Sequence, residues 1–245
     1  MKRSVFLCAM LFFIGAAIPV GYASVDDLHE AEIIQVEGDS EIDLVDDGDW
    51  GKAEVGDKLF EDTGIKTGRR SETRLIFDKE GLNVAEIEEN TQVTIKKDMI
   101  ELQNGNVVVN FENLKPGSSF IVKTSTVTCG IKGSGMRVGF KNGKTSIKAF
   151  NHNVYVRTLD SEGNPSGEES VVEEGSKAEV SEKGETKGQG KLTESEKKAF
   201  NNWVDVTKKE EKKEKKEEKA AVTVIVTEVI ETEPADPETP EGSPY

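Results

Sequence analysis

The sequence predicts an all-β domain followed by a short C-terminal helix and a disordered tail. The expected architecture is a multi-stranded antiparallel sandwich or roll, with a solenoid-like winding as the variant. Three observations carry this. Between Ile33 and Val180 the chain breaks into runs of four to seven residues, such as IIQVEG, TRLIF, QVTI, FIVKT and MRVGF. Most alternate apolar with polar residues and are rich in β-branched side chains, as half-buried strands are. Turn pairs punctuate the runs: Asp47-Gly48, Glu80-Gly81, Asn104-Gly105, Pro116-Gly117, Asn142-Gly143, Glu162-Gly163 and Glu174-Gly175. No 3.6-residue apolar period interrupts them.

Residues 1–23 read as an export signal. Lys2 and Arg3 precede an apolar run from Ser4 to Val20, and Gly21-Tyr22-Ala23 offers small residues for cleavage after Ala23. The alternative is an uncleaved anchor, against which the run is short for a span and carries Gly15 and Pro19. Cys8 leaves with the signal. Cys129 then stands alone, so no intramolecular disulfide forms and packing must supply the stability.

Residues 32–182 form the expected β domain. Its organising stretch is Phe120–Phe140, FIVKTSTVTCGIKGSGMRVGF, two alternating runs about a Gly-rich turn. Asn142-Gly143, between MRVGF and TSIKAF, is the strongest hairpin signal, because a type I′ turn needs positive φ at both central residues. The alternation places Leu59, Ile65, Leu75, Phe77, Phe120, Val122, Val138 and Phe140 inward, and Trp50 is read as a core residue.

Here the residues carry a family likeness. Trp50, Val55-Gly56-Asp57, Leu59, Ile65-Lys66-Thr67-Gly68, Ser71 and Leu75-Ile76-Phe77 resemble the first half of a FecR domain. Ile87, Glu88, Asn90, Ile100-Glu101-Leu102 and Phe120-Ile121-Val122-Lys123-Thr124 resemble the second half. Gly133-Ser134-Gly135-Met136-Arg137-Val138 stands where the family has Arg-Gly-Thr and an apolar strand. Two positions depart: Ser125 replaces a common proline, and Lys132-Gly133-Ser134 replaces Arg-Gly-Thr. The resemblance covers about Ile33 to Val156 and implies an exported all-β domain. The family's best-known members sense an occupied iron transporter and control a sigma factor through a cytoplasmic segment ahead of their membrane helix. This sequence has three residues before its apolar run, so the resemblance implies a stand-alone exported module without that role.

Residues 183–192 are Gly- and charge-rich and read as a linker. Residues 193–219 read as a charged helix. Thr193-Glu194-Ser195-Glu196 is a capping box, and Ala199, Phe200, Trp203, Val204 and Val206 form an apolar stripe expected to dock on the β domain through Phe200 and Trp203. The run 208–219 is almost wholly Lys and Glu, a solvated spacer. Residues 220–245 combine a β-prone island, 222–230, with an acidic end holding four prolines, and are expected to be disordered apart from that island. The island is expected to add to the edge of its own β domain, with a partner's sheet edge as the second destination and plain disorder as the remaining alternative.

Function is weakly encoded. A net charge of −15 argues against nucleic acid and anionic lipid as partners. Cys129 alternates with Val127 and Ile131 and reads as a structural thiol rather than a reactive one. His29 and His152 are too few and too distant for a metal site. Asp43, Asp46, Asp47 and Asp49 cluster as Ca²⁺ ligands would, but without EF-hand spacing, and read as a solvated turn. Gly130–Gly135 lacks the helix that a phosphate loop requires and reads as a turn. No catalytic, cofactor-binding or metal residues are assigned, and no cofactor is expected. The expected function is a non-catalytic, exported FecR-like module that binds an envelope protein or cell-wall component, in sensing or assembly. A structural envelope scaffold tethered by the tail is the rival, and a glycan-acting enzyme with two facing carboxylates the remote one. The expected location is the periplasm, with secretion or surface display as alternatives and no stable membrane span after cleavage. Oligomeric state is left open.

Overall fold

The computed structural model describes residues 30–209, apart from 79, 80, 113, 182 and 183. The expectations for the export signal, the outer part of the charged helix, the β-prone island and the acidic tail fall outside the described residues.

Among the described residues seventeen strands follow one another: β1 (Ala31–Glu37), β2 (Ser40–Asp43), β3 (Gly51–Lys52), β4 (Lys58–Leu59), β5 (Gly64–Thr67), β6 (Glu72–Ile76), β7 (Asn83–Ile87), β8 (Gln92–Lys96) and β9 (Met99–Phe111), then β10 (Phe120–Lys123), β11 (Val127–Ile131), β12 (Ser134–Lys141), β13 (Lys144–Asn151), β14 (Val154–Leu159), β15 (Pro165–Val172), β16 (Ser176–Val180) and β17 (Thr186–Lys191). A helix, α1, spans 194–209 of the described residues. The fold class is therefore the one the alternation predicts.

The strands form two layers. Layer one runs β4-β1-β6-β7-β9-β12-β13-β16-β17. Layer two runs β3-β2-β5-β8-β9-β10-β11-β14-β15. Strand β9 belongs to both. Met99–Asn104 pairs with β8 in layer two, and Val107–Phe111 pairs with β7 in layer one. The crossing is at Gly105, which has φ 95° and where an added Cβ would lie 2.2 Å from Thr91 Oγ1. Only glycine tolerates both the backbone and the approach. Asn104-Gly105 is thus a bend inside one long strand and not the turn the sequence predicted.

The crossing also corrects the expectation of purely antiparallel pairing. After β9 leaves layer two, its second half serves as a crossover, and β10 re-enters parallel to the first half. The expected linker 183–192 contains β17, which extends layer one beyond β16 despite its glycines. Its ladder to β16 shifts register between Lys177 and Glu179, which accommodates a Gly-rich edge.

The sheet stays open rather than closing into a barrel. Its margins are blunted: β3 and β4 have two residues each, and β15 begins with Pro165 and carries Glu168 and Glu169. One core fills the space between the layers, from Ala31 and Ile33 to Ala178 and Val180. Its centre is an aromatic cluster, Phe111 stacked on Phe120 at 3.9 Å with Phe77 edge-on at 5.1 Å to Phe120. Phe77 and Phe140 are partly buried against the core, and the other six inward assignments are fully buried. Asn142 and Gly143 adopt φ 50° and 70°, the type I′ geometry that their sequence demands.

Trp50 is not in the core. It is half-buried on the outer face of layer two, with its ring over Gly64 and the Lys66 ammonium 3.3 Å from its centroid. Gly64 leaves room for the indole: a Cβ there would sit 2.8 Å from it.

Candidate functional site

The most organised surface is the outer face of layer one, where α1 lies. Alternation sends Leu75, Ala85, Val107, Val109, Val138 and Ile147 inward. The same alternation sends Gln35, Arg74, Glu86, Val108, Arg137, Lys148 and Lys177 outward in one cross-strand row over β1, β6, β7, β9, β12, β13 and β16.

The polar members of the row are paired, with Val108 between them. Arg74 Nη1 donates to Gln35, and Arg74 Nη2 lies 3.0 Å from Glu86 Oε2. Arg137 grips Glu88 in two-pronged fashion, Nε to Oε1 at 2.7 Å and Nη2 to Oε2 at 2.5 Å. Glu88 holds Arg137 still more firmly protonated. Burial raises the neighbouring Glu72 above the ordinary carboxylate range, and the charges of Glu86 and Glu37 add to the effect.

The helix begins where the capping box predicts. Glu196 Oε2 accepts from the Thr193 amide at 2.8 Å, and the Glu196 amide donates to Thr193 Oγ1 at 3.2 Å. Glu196 also meets Lys148 at 2.8 Å and Lys177 at 3.3 Å. The hydrogen bond from Lys148, then that from the Thr193 backbone, hold its carboxyl down at about 2. Phe200 stacks on Phe150 of β13 at 4.1 Å with rings 5° apart. Its ring tip fills a notch at Gly135, where a Cβ would lie 2.0 Å from Cζ. Trp203 Nε1 donates to Glu86. At the far end Lys208 Nζ lies 2.7 Å from Glu112. Burial alone would raise Glu112, but hydrogen bonds from Lys208 and Asn110 carry it below its usual value.

The docked face of α1 is Glu196, Phe200, Trp203 and Thr207, spaced four, three and four. The apolar stripe of the sequence is partly misplaced. Phe200 and Trp203 dock as expected, but Ala199 is exposed and Val206 is 48% exposed. Beside the helix a cleft of about 260 Å³ stays open, walled by Val108, Arg137, Lys148, Phe150, Phe200 and Trp203.

Two other hollows are shallower in organisation. One of about 270 Å³ lies on layer two between Ile121 and Tyr155, where Gly130 leaves a gap and Lys132 sits 4.7 Å over the Tyr155 ring. Another, of about 410 Å³, lies beside the Asn142-Gly143 hairpin against Asn106, Ser146 and Glu179.

The residues weighed from sequence do not converge. Cys129 is fully buried, and burial pushes its thiol well up. His152 is exposed in the β13–β14 turn, and His29 lies outside the described residues. Asp43 is buried and accepts from the amides of Asp47 and Gly48, so it closes its own turn. Gly130 lies in β11, Gly133 in the turn and Gly135 in β12. Among the described residues no group of three or more His, Cys, Asp and Glu is arranged to hold a metal ion, and no helix is long and apolar enough to cross a membrane. The docking residues Glu86, Arg137, Gly135 and Phe150 escaped the sequence reading. Their one visible trace is Gly-x-Arg-x-Gly at 135–139, which puts two glycines and an arginine on one strand face.

No protein-family model matches the chain, and no curated protein does. Two crystal structures of a candidate anti-sigma factor from Parabacteroides distasonis are similar in part. Each has a TM-score of 0.42 and 14% identity, over 53% of this chain and 59% of that one. The match therefore spans about three fifths of that protein's length.

Proposed function

We propose that the chain is an exported, non-catalytic module, FecR-like in its sequence motifs, that binds an envelope protein or cell-wall component in sensing or assembly. The observation that carries this reading is the outer face of layer one. Its row of outward residues crosses seven strands with the arginines and lysines paired, and it already holds a helix through aromatic and ionic contacts. Aromatic and charged anchors of this kind are what partner-binding surfaces use, and this supports the reading. The signal-like residues 1–23 support export, and the spaced motifs from Trp50 to Val138 support the family likeness.

The scaffold reading has one observation in its favour: Lys208, near the end of α1, pairs with Glu112 of the β domain at 2.7 Å. Two measurements test the proposal. The mature chain should be recovered from the periplasmic fraction with Ser24 as its first residue; a cytosolic chain with Met1 intact would end the export claim. Cross-linked pull-downs from envelope extracts should keep their partner when residues 210–245 are removed. Loss of the partner with that segment would favour the tethered scaffold.

A further inference from the structure

The seat of α1 has the properties of a binding groove for an exchangeable helix. Among the described residues the central hydrophobic core runs from Ala31 to Val180 and takes nothing from α1; Phe200 and Leu192 are buried outside it. Apart from Val108 and the Phe150 ring, the floor under the helix is polar, and its arginines are paired within the sheet, through Arg74–Glu86 and Arg137–Glu88, so most of it tolerates water when uncovered. Only a few features answer the helix specifically: the Gly135 notch, the Phe150 ring, Glu86 as acceptor and Lys148 with Lys177 as cations. The resident helix also underfills its seat. The 260 Å³ cleft remains beside it, and the buried Asn110 Oδ1, near the Lys208–Glu112 end, has no hydrogen-bond partner.

We infer that the outer face of layer one is a helix-binding groove, that α1 is its internal occupant, and that a partner's amphipathic helix takes its place. The floor dictates the chemistry of that helix. It carries a carboxylate for Lys148 and Lys177, an aromatic ring four residues later for the notch, and an aromatic N–H donor three residues after that for Glu86. A partner that also fills the open cleft and donates to Asn110 binds more tightly than α1 does. Helix-in-groove recognition of this kind reads anchors at such spacings. The inference rests on the binding-module reading for its purpose and on the geometry alone for the groove.

The test uses the full chain carrying Phe200→Ala and Trp203→Ala, which vacates the seat, and a labelled peptide of residues 190–209 read by fluorescence anisotropy. The vacated variant should bind the peptide roughly 100-fold more tightly than the unaltered chain, whose own helix holds most molecules closed. A third change, Gly135→Val, should abolish that binding by filling the notch. A vacated variant with native strand content that does not bind the peptide, or an unaltered chain that binds equally well, overturns the inference. Hydrogen exchange on the unaltered chain gives an independent check that needs no variant. Amides 198–208 should exchange through an opening that leaves β12 and β13 protected; exchange only by global unfolding overturns the groove. Failure of these tests moves the partner to another face, whereas failure of export leaves the groove intact.

Discussion

Truncating Phe120 to alanine tests whether the aromatic cluster holds the two layers together. Phe120 is 2% exposed, stacks on Phe111 at 3.9 Å and meets Phe77 edge-on at 5.1 Å. Phe77 and Phe111 belong to layer one and its margin, and Phe120 opens β10 in layer two, so the cluster spans the sandwich. Removing the ring loses its burial and leaves a hole walled by two rings and by β strands that cannot collapse independently. The expected cost is about 3–5 kcal/mol. The upper half of that range is favoured because two ring contacts, each worth about 0.5–1.5 kcal/mol beyond burial, go as well. Urea melts followed by far-UV dichroism measure it, and an unchanged slope shows that the loss is one of stability rather than of cooperativity. A loss below 1 kcal/mol would mean that the layers are not joined through this cluster. Phe200→Ala is the control: its ring is also buried but lies outside the core, so the strand transition should move far less.

Gly105→Ala should destabilise by at least about 1–3 kcal/mol, from the strained φ and the approach to Thr91, seen as a lowered Tm; a neutral result would refute the crossing of β9 between layers. Glu196 has its folded carboxyl lowered to about 2 from an ordinary 4.5, so its contribution to docking is complete above 4.5 and lost as pH falls towards 2. Trp203 emission, isolated by Trp50→Phe, should shift to the red across that window, and a Glu196→Gln chain should show part of the shift already at neutral pH; emission indifferent to both would remove Glu196 from the seat. Cys129 should not react with a thiol reagent in the folded chain, and its modification rate should follow global unfolding; rapid labelling of the native protein would place it at the surface.

Local causes were legible in the sequence, and non-local ones were not. Strand alternation, the Asn142-Gly143 hairpin and the Thr193–Glu196 capping box each depend on residues within four positions of one another, and each forms as read. Trp50 departs from its expected core place because an aromatic beside a strand run is usually inward, whereas the missing side chain at Gly64, fourteen residues on, gives its ring a seat outside. β17 was hidden because glycine-rich, charged segments signal loops, and its pairing comes from β16 rather than from its own propensity.

By itself, the sequence determined that this chain makes many short strands, where several of them turn, and where its helix starts. Period-two alternation settles which residues face the core, but it is silent on which layer a strand joins. The tertiary structure decided that. It sent β9 through both layers at Gly105, made β10 parallel, and set Gly135, Phe150 and Lys148 side by side from strands whose register is fixed by distant partners. The seat of α1 exists only in that register, because each of its contacts joins residues some twenty to more than a hundred positions apart.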